Sequence, residues 1–193
     1  AIVSEEREVT VIFTDITGFT AFAEDMPAAD VANFLNAHFT LLDRCVEAEG
    51  GTVDKYIGDS LMAFWGAPHR QPDHAQRAVR AVIAMTARIR ARNADRTTQG
   101  LSPIRVRIGV HSGDAVVGNI GAPGRVNYTI VGDTVNIGSR LEQLCKEVAP
   151  DADVVALMSA ATARHLGAES PHTPAGAHAL RGRETAVEVF RLV

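Results

Sequence analysis

The sequence predicts an α+β fold: a ferredoxin-like βαββαβ core with additional strands and a helix towards the C-terminus. Three observations carry that prediction. Short β-rich runs and two long stretches of helical apolar period follow one another in the order β-α-β-β-α-β. Two of the β runs are separated only by Gly58-Asp59-Ser60, which reads as a hairpin. The 193 residues, 46% hydrophobic and 22% charged, suit one globular domain with its own core.

Val9 to Thr14 reads as a short buried strand, followed by a glycine-containing turn at Ile16-Thr17-Gly18. From Ala28 to Glu49 apolar residues recur at helical spacing (Val31, Phe34, Leu35, His38, Leu41, Leu42, Cys45, Val46), and Gly50-Gly51 stops that helix. Thr52 to Ile57 and Leu61 to Trp65 form the hairpin. A second helix is expected from Pro72 to Asn93, with Ala75, Ala78, Val79, Val82, Ile83, Thr86 and Ile89 turned inward. Its arginines Arg77, Arg80, Arg88 and Arg92 read as a solvated face. Ile104 to His111 alternates as a strand, Ser112-Gly113-Asp114 reads as a turn, and Ala115 to Ile120 as the next strand.

After a turn at Gly121-Ala-Pro-Gly124, Val126 to Val131 is extended again. Gly132-Asp133-Thr134 opens a helix to Val148, with Asp133 placed as its N-cap. Val154 to Met158 is a strand, Ala160 to His165 a short helix, Gly167 to Gly176 a surface loop, and Val187 to Val193 a closing strand. This order places the helices on one face of an antiparallel sheet.

Composition excludes some classes. The formal charge of -4 and pI near 6.0 give no basic field for nucleic acid or anionic membrane. No stretch approaches the roughly 20 apolar residues of a membrane span, and no signal-peptide pattern is read. Cys45 and Cys145 belong to no close-spaced ligand or redox motif and read as reduced, partly buried thiols of a cytoplasmic protein. The start at Ala1 suits a single catalytic domain, residues 1–193, cut from a longer regulated protein whose other domains could attach it to a membrane. The seven histidines form no ligand set, and His69 and His74, flanking Pro72, are expected on the surface.

The chemistry concentrates at strand ends. Asp15 in Val11-Ile-Phe-Thr-Asp-Ile-Thr-Gly-Phe-Thr20 and Asp59 in Asp54-Lys-Tyr-Ile-Gly-Asp-Ser60 each sit where a β run meets a turn. Carboxylates held there suit hard divalent cations, which take oxygen ligands together with substrate phosphates. Thr17, Gly18, Phe19 and Thr20 open a helix start whose amides suit an anion. Asn136 and Arg140 are spaced i,i+4, about 40° apart on one helix face. Lys55 is a cation in a strand position, and Arg181 lies in the basic turn Leu180-Arg-Gly-Arg183.

Three strings, Phe13-Thr-Asp-Ile-Thr-Gly-Phe-Thr20, Lys55-Tyr-Ile-Gly-Asp-Ser-Leu-Met-Ala-Phe64 and Val131-Gly-Asp-Thr-Val-Asn-Ile-Gly-Ser-Arg140, resemble the class III nucleotide cyclase catalytic domain, in order and at that family's spacing. The resemblance covers nearly the whole chain. It implies a head-to-tail homodimer with two shared sites. Asp15, Asp59 and the backbone carbonyl of Ile16 would bind two Mg²⁺ or Mn²⁺. From the other subunit, Lys55 and Thr129 would read the purine, Asn136 would hold the ribose and Arg140 would stabilise the transition state.

Arg181 stands where the family usually has a lysine for the terminal phosphates, a cation-for-cation change that should preserve activity. Lys55 favours ATP, whereas guanylyl members typically carry glutamate there. The expected reaction is therefore ATP to 3′,5′-cyclic AMP and pyrophosphate. A guanylyl or relaxed-purine cyclase is the alternative, and a catalytically silent module the more distant one. The Lys-Thr pair resembles the bacterial and soluble branch associated with bicarbonate stimulation, which makes bicarbonate a candidate activator.

Overall fold

The structure is a computed structural model that describes residues 4–193; residues 1–3, included in the expected single-domain span, lie outside the described residues. In chain order the elements are β1 (Glu5–Ile16), α1 (Phe19–Ala23), α2 (Ala28–Ala48), β2 (Thr52–Ile57), β3 (Ser60–Trp65), α3 (His74–Thr98), β4 (Val106–Ala122) and β5 (Arg125–Val131). There follow α4 (Asp133–Val148), β6 (Val154–Ser159), α5 (Ala160–Ala163), β7 (Thr173–His178) and β8 (Val187–Arg191). The strands make one eight-stranded sheet in the order β2-β3-β1-β4-β6-β8-β7, with β5 paired to the distal part of β4. The first four sheet positions, with α2 and α3, are the expected ferredoxin-like unit. No helix among the described residues is long and apolar enough to cross a membrane.

The side-chain alternation of β6 shows how the layers form. Val154, Ala156 and Met158 join Ile12, Val110, Leu42 and Val82 in the core beneath α2 and α3. Val155 and Leu157 point the other way and pack with Leu141, Leu144 and Cys145 of α4. Helices therefore cover both faces, not one as expected. The sheet is also mixed, because β4 and β6 run parallel. A strand buried at every position, as β6 is, reads as continuously apolar because both of its faces are covered.

Several boundaries move. β1 is longer than expected and carries Asp15 within the ladder to β4. β4 is a single strand of 17 residues, where a turn at Ser112-Gly113-Asp114 was expected. Ser112 satisfies its hydroxyl inside the fold, against Thr10 at 2.7 Å and Thr162 at 2.9 Å. Gly113 provides close approach, since a Cβ there would stand 2.7 Å from the Thr134 hydroxyl. β7 occupies part of the expected 167–176 loop.

On α3, Ile83 is 41% exposed, and Met85 fills the core in its place. The N-cap of α4 is Gly132; Asp133 is the first helical residue and pairs with Arg183. Cys45 and Cys145 are free and buried, and burial pushes the Cys145 thiol up to about 12.

Candidate active site

Asp15 is the penultimate residue of β1, and Asp59 sits in the two-residue turn of the β2–β3 hairpin, beside Gly58 at φ 61°. Antiparallel pairing of β1 with β3 (Thr14 against Leu61) brings that turn to the end of β1. Both carboxylates then accept from one donor, the Ile16 N–H, at 2.9 Å for Asp15 and 3.0 Å for Asp59. Burial, followed by the neighbouring Asp15, pushes Asp59 up to about 6. Burial acts in the same direction on Asp15, but its hydrogen bonds with Asp59 and Arg107 outweigh it and hold that carboxyl below its ordinary value. Two carboxylates crowded in this way fit a divalent cation, which removes their mutual repulsion.

Two charged groups that the sequence reading passed over complete this end of the sheet. Arg107 faces Asp15 directly across the β1–β4 ladder, and its Nη2 donates to Asp15 Oδ2 at 2.6 Å. Its Nε lies 3.5 Å from Glu142 on α4. Burial, then the charge of Asp15, pushes Glu142 up to about 8. The available signal was a pair of arginines, Arg105 and Arg107, inside the otherwise apolar run Ile104 to Val110; a buried guanidinium there is costly unless it meets an anion, as Arg107 does.

Close packing sets the position of α4. A Cβ on Gly109 would stand 2.3 Å from the Glu142 backbone nitrogen, and one on Gly138 would stand 2.8 Å from Val11. Glycines on both sides of the contact let helix and sheet approach where larger residues could not. Asn136 is consequently exposed and Arg140 half-buried on the outer side of α4. Arg140 and Arg181 line one cavity of about 280 Å³, and the Arg140 guanidinium packs over Gly182. Among the described residues neither guanidinium has an ion-pair partner, and two such cationic heads at one cavity suit an oxyanion. Among the described residues, no hydrogen bond or ion pair links Asn136, Arg140 or Arg181 to Asp15 or Asp59 within the chain.

Lys55 and Thr129 meet through a residue the sequence reading did not select. A bulge between Val53 and Lys55 turns Asp54 out of the β2–β3 register, leaving its side chain only 3% exposed. The Thr129 hydroxyl donates to Asp54 Oδ2, and Lys55 Nζ lies 3.7 Å from Oδ1.

The turn at Thr17 to Thr20 forms with Gly18 left-handed at φ 66°. The helix behind it has only five residues, so phosphate binding there would rest on turn amides and not on a macrodipole. The Phe19 ring packs against Phe34 at 6.1 Å and faces the core.

The histidines overturn another expectation. His74 is 5% exposed, and both its Nε2 and that of His165 converge on Glu8. A histidine at a helix start looks exposed in sequence because the strand that covers it is distant along the chain.

The chain belongs to the adenylate and guanylate cyclase catalytic domain family, whose sequence model matches residues 2–192. It is 37% identical over 187 residues, 97% of its length, to adenylate cyclase 1 of Rhizobium meliloti. It is 35% identical over 145 residues, 73% of its length, to an adenylate cyclase of Anabaena cylindrica. It spans 28% of the length of each of these relatives. Among solved structures it resembles the adenylyl cyclase CyaB from P. aeruginosa, with a TM-score of 0.88, 32% identity, and coverage of 99% of this chain and 96% of that one. The guanylyl cyclase Cya2 is similar too, with a TM-score of 0.86, 29% identity, and coverage of 98% and 93%.

Proposed function

We propose that this chain is an adenylyl cyclase catalytic domain that converts ATP to 3′,5′-cyclic AMP and pyrophosphate, at sites shared between two copies. Membership of the cyclase family supports the reaction class. The choice of ATP rests on one observation, the hydrogen bond from Thr129 to Asp54. A hydroxyl has one hydrogen and two lone pairs, and the carboxylate takes the hydrogen. Thr129 is thereby left as an acceptor, with Lys55 as a donor beside it. Adenine offers an amino donor next to a ring-nitrogen acceptor, whereas guanine offers a carbonyl acceptor next to an N–H donor. With Thr129 facing the exocyclic group and Lys55 the ring nitrogen, the pair matches adenine, and guanine held the same way would set its carbonyl against an acceptor and its N–H against a cation.

In this reading Asp15, Asp59 and the Ile16 carbonyl would hold two Mg²⁺ or Mn²⁺, supplying charge neutralisation and a more acidic ribose hydroxyl. The turn amides from Thr17 to Thr20 and the Arg181 guanidinium bind the β- and γ-phosphates. Asn136 orients the ribose so that its 3′-oxygen lies in line with the α-phosphorus. Arg140 receives the charge that grows on the α-phosphoryl oxygens as the bond to pyrophosphate breaks.

The separation of Asn136, Arg140 and Arg181 from the two aspartates supports a second copy as the source of the missing half. The β4–β5 hairpin offers surface for it, with the cross-strand pair Val116 and Val131 at 38% and 42% exposed. The Lys55–Thr129 pair keeps bicarbonate as the candidate activator, to be tested by titration at constant pH.

Separate incubations with Mn-ATP and Mn-GTP test the assignment. Cyclic AMP as the dominant product is expected. Predominant cyclic GMP would overturn the purine choice, and no product from either would favour a silent module.

A further inference from the structure

A second constellation lies away from the aspartates. Glu8 projects from β1, His74 begins α3, and His165 follows α5. Glu8 Oε1 stands 3.1 Å from His74 Nε2 and 3.0 Å from His165 Nε2, and the three donor atoms all lie within 4.8 Å of one another. Glu8 precedes Asp15 by seven positions on one strand, about 23 Å at 3.3 Å per residue. The two constellations therefore occupy opposite ends of β1.

We propose that Glu8, His74 and His165 form a zinc site. Two imidazole nitrogens and one carboxylate oxygen, with a fourth position open, is a ligand set that zinc takes and magnesium does not favour. Glu8 and His165 also line a cavity of about 430 Å³ with Ser112, Asp114 and Arg164, from which a fourth ligand would come. That cavity admits the ion and leaves room for a water or small anion beside it.

The surroundings orient the ligands. His74 Nδ1 lies 2.6 Å from the Thr10 hydroxyl, Thr10 lies 2.7 Å from Ser112, and Ser112 lies 2.9 Å from Thr162. All three hydroxyl residues are buried. Donation from Nδ1–H into this chain leaves the lone pair on Nε2, the atom aimed at Glu8 and His165. Outer hydrogen bonds of this kind fix the tautomer and ring angle of metal-binding histidines. Burial also holds His74 below the usual histidine range, which favours its neutral, ligating form. An ion here would tie the start of α3 and the segment after α5 to β1, clamping the sheet from the end opposite the aspartates.

Equilibrium dialysis of the metal-free protein against Zn²⁺, in excess Mg²⁺ to occupy the aspartate pair, tests the proposal. One Zn²⁺ per chain is expected, with a rise in melting temperature that Mg²⁺ alone does not produce. His165→Ala and Glu8→Gln, both at accessible positions, should lose the ion while remaining folded by circular dichroism. Thr10→Val should weaken binding about 10- to 100-fold. Asp59→Asn should leave it unchanged. Substituted Co²⁺ should give the visible absorption of a low-symmetry, four-coordinate site in the parent and lose it in His165→Ala. Equal zinc uptake by the parent and His165→Ala, or loss of uptake in Asp59→Asn alone, would overturn the assignment.

Discussion

Arg107 sits directly across the β1–β4 ladder from Asp15 and donates to its carboxylate at 2.6 Å, with both groups largely withdrawn from water. Removing the cation would strand Asp15 beside Glu142. Arg107→Met should therefore lower the unfolding free energy by about 3–5 kcal/mol, the usual cost of breaking a buried pair. Glu142, pushed up to about 8, keeps its proton at neutral pH. Glu142→Gln should accordingly cost under about 1 kcal/mol. Urea unfolding of the two variants measures the contrast, and a stable Arg107→Met protein would remove the structural role assigned to the pair.

The Asp54–Thr129 hydrogen bond should set purine preference. Asp54→Asn offers an amide that can donate as well as accept, which frees the threonine hydroxyl to turn. The ratio of kcat/KM for ATP over GTP should fall about tenfold, a difference of about 1.4 kcal/mol. An unchanged ratio in both Asp54→Asn and Thr129→Val would show that the purine is read elsewhere.

Shared sites make a prediction that a self-contained site does not. Asp59→Ala and Arg140→Ala should each be nearly inactive alone. After subunit exchange in an equal mixture, half the dimers are heterodimers, and each carries one intact site of two. Activity should return to about a quarter of the parent value, on the symmetry of a two-fold dimer. Full exchange without any rescue would exclude the shared-site reading.

Two buried histidines predict a loss of stability in acid. Burial holds both His38 and His111 down to about 4, well below the roughly 6.5 of an unfolded chain. Protonation then favours the unfolded state, so the stability from each is full above about pH 6.5 and is lost as the pH falls towards 4. The slope approaches about 1.4 kcal/mol per pH unit for each residue. His38→Gln should flatten the urea-derived stability profile between about pH 7 and pH 5 by that amount. A variant profile parallel to that of the parent would exclude His38 as a contributor.

The β4–α4 contact predicts intolerance of a single methyl group. Gly109→Ala would put a carbon 2.3 Å from the Glu142 backbone nitrogen, so the helix carrying Asn136 and Arg140 must shift. Thermal melting should fall and kcat should drop together. Gly124→Ala, where no atom lies within 4 Å of the new carbon, should cost less in stability and spare kcat; its φ of 82° makes the remaining cost purely local backbone strain.

Much of this molecule can be read along the chain. The ferredoxin-like order, the hairpin tip and the aspartates at the ends of β runs depend on local periodicity and turn chemistry, which neighbouring residues specify. Two errors share one cause. Ser112-Gly113-Asp114 has the composition of a turn, and 167–176 that of a loop, yet β4 runs through the first and β7 takes up the end of the second. Thr10 and Thr162, both far along the chain, take up the Ser112 hydroxyl, and the following strand β8 pairs with β7; in each case pairing within the sheet overrides local preference.

The sequence by itself determined the sheet's central order, the family and the residues proposed to hold metal and nucleotide. The tertiary structure alone decided which charges meet. Asp54 turns towards Thr129 through a bulge, Arg107 reaches Asp15 across a ladder, and Glu8 gathers two histidines 66 residues or more away. An ionisable side chain takes its character from burial and from the charge beside it, and both are properties of packing that no stretch of sequence contains.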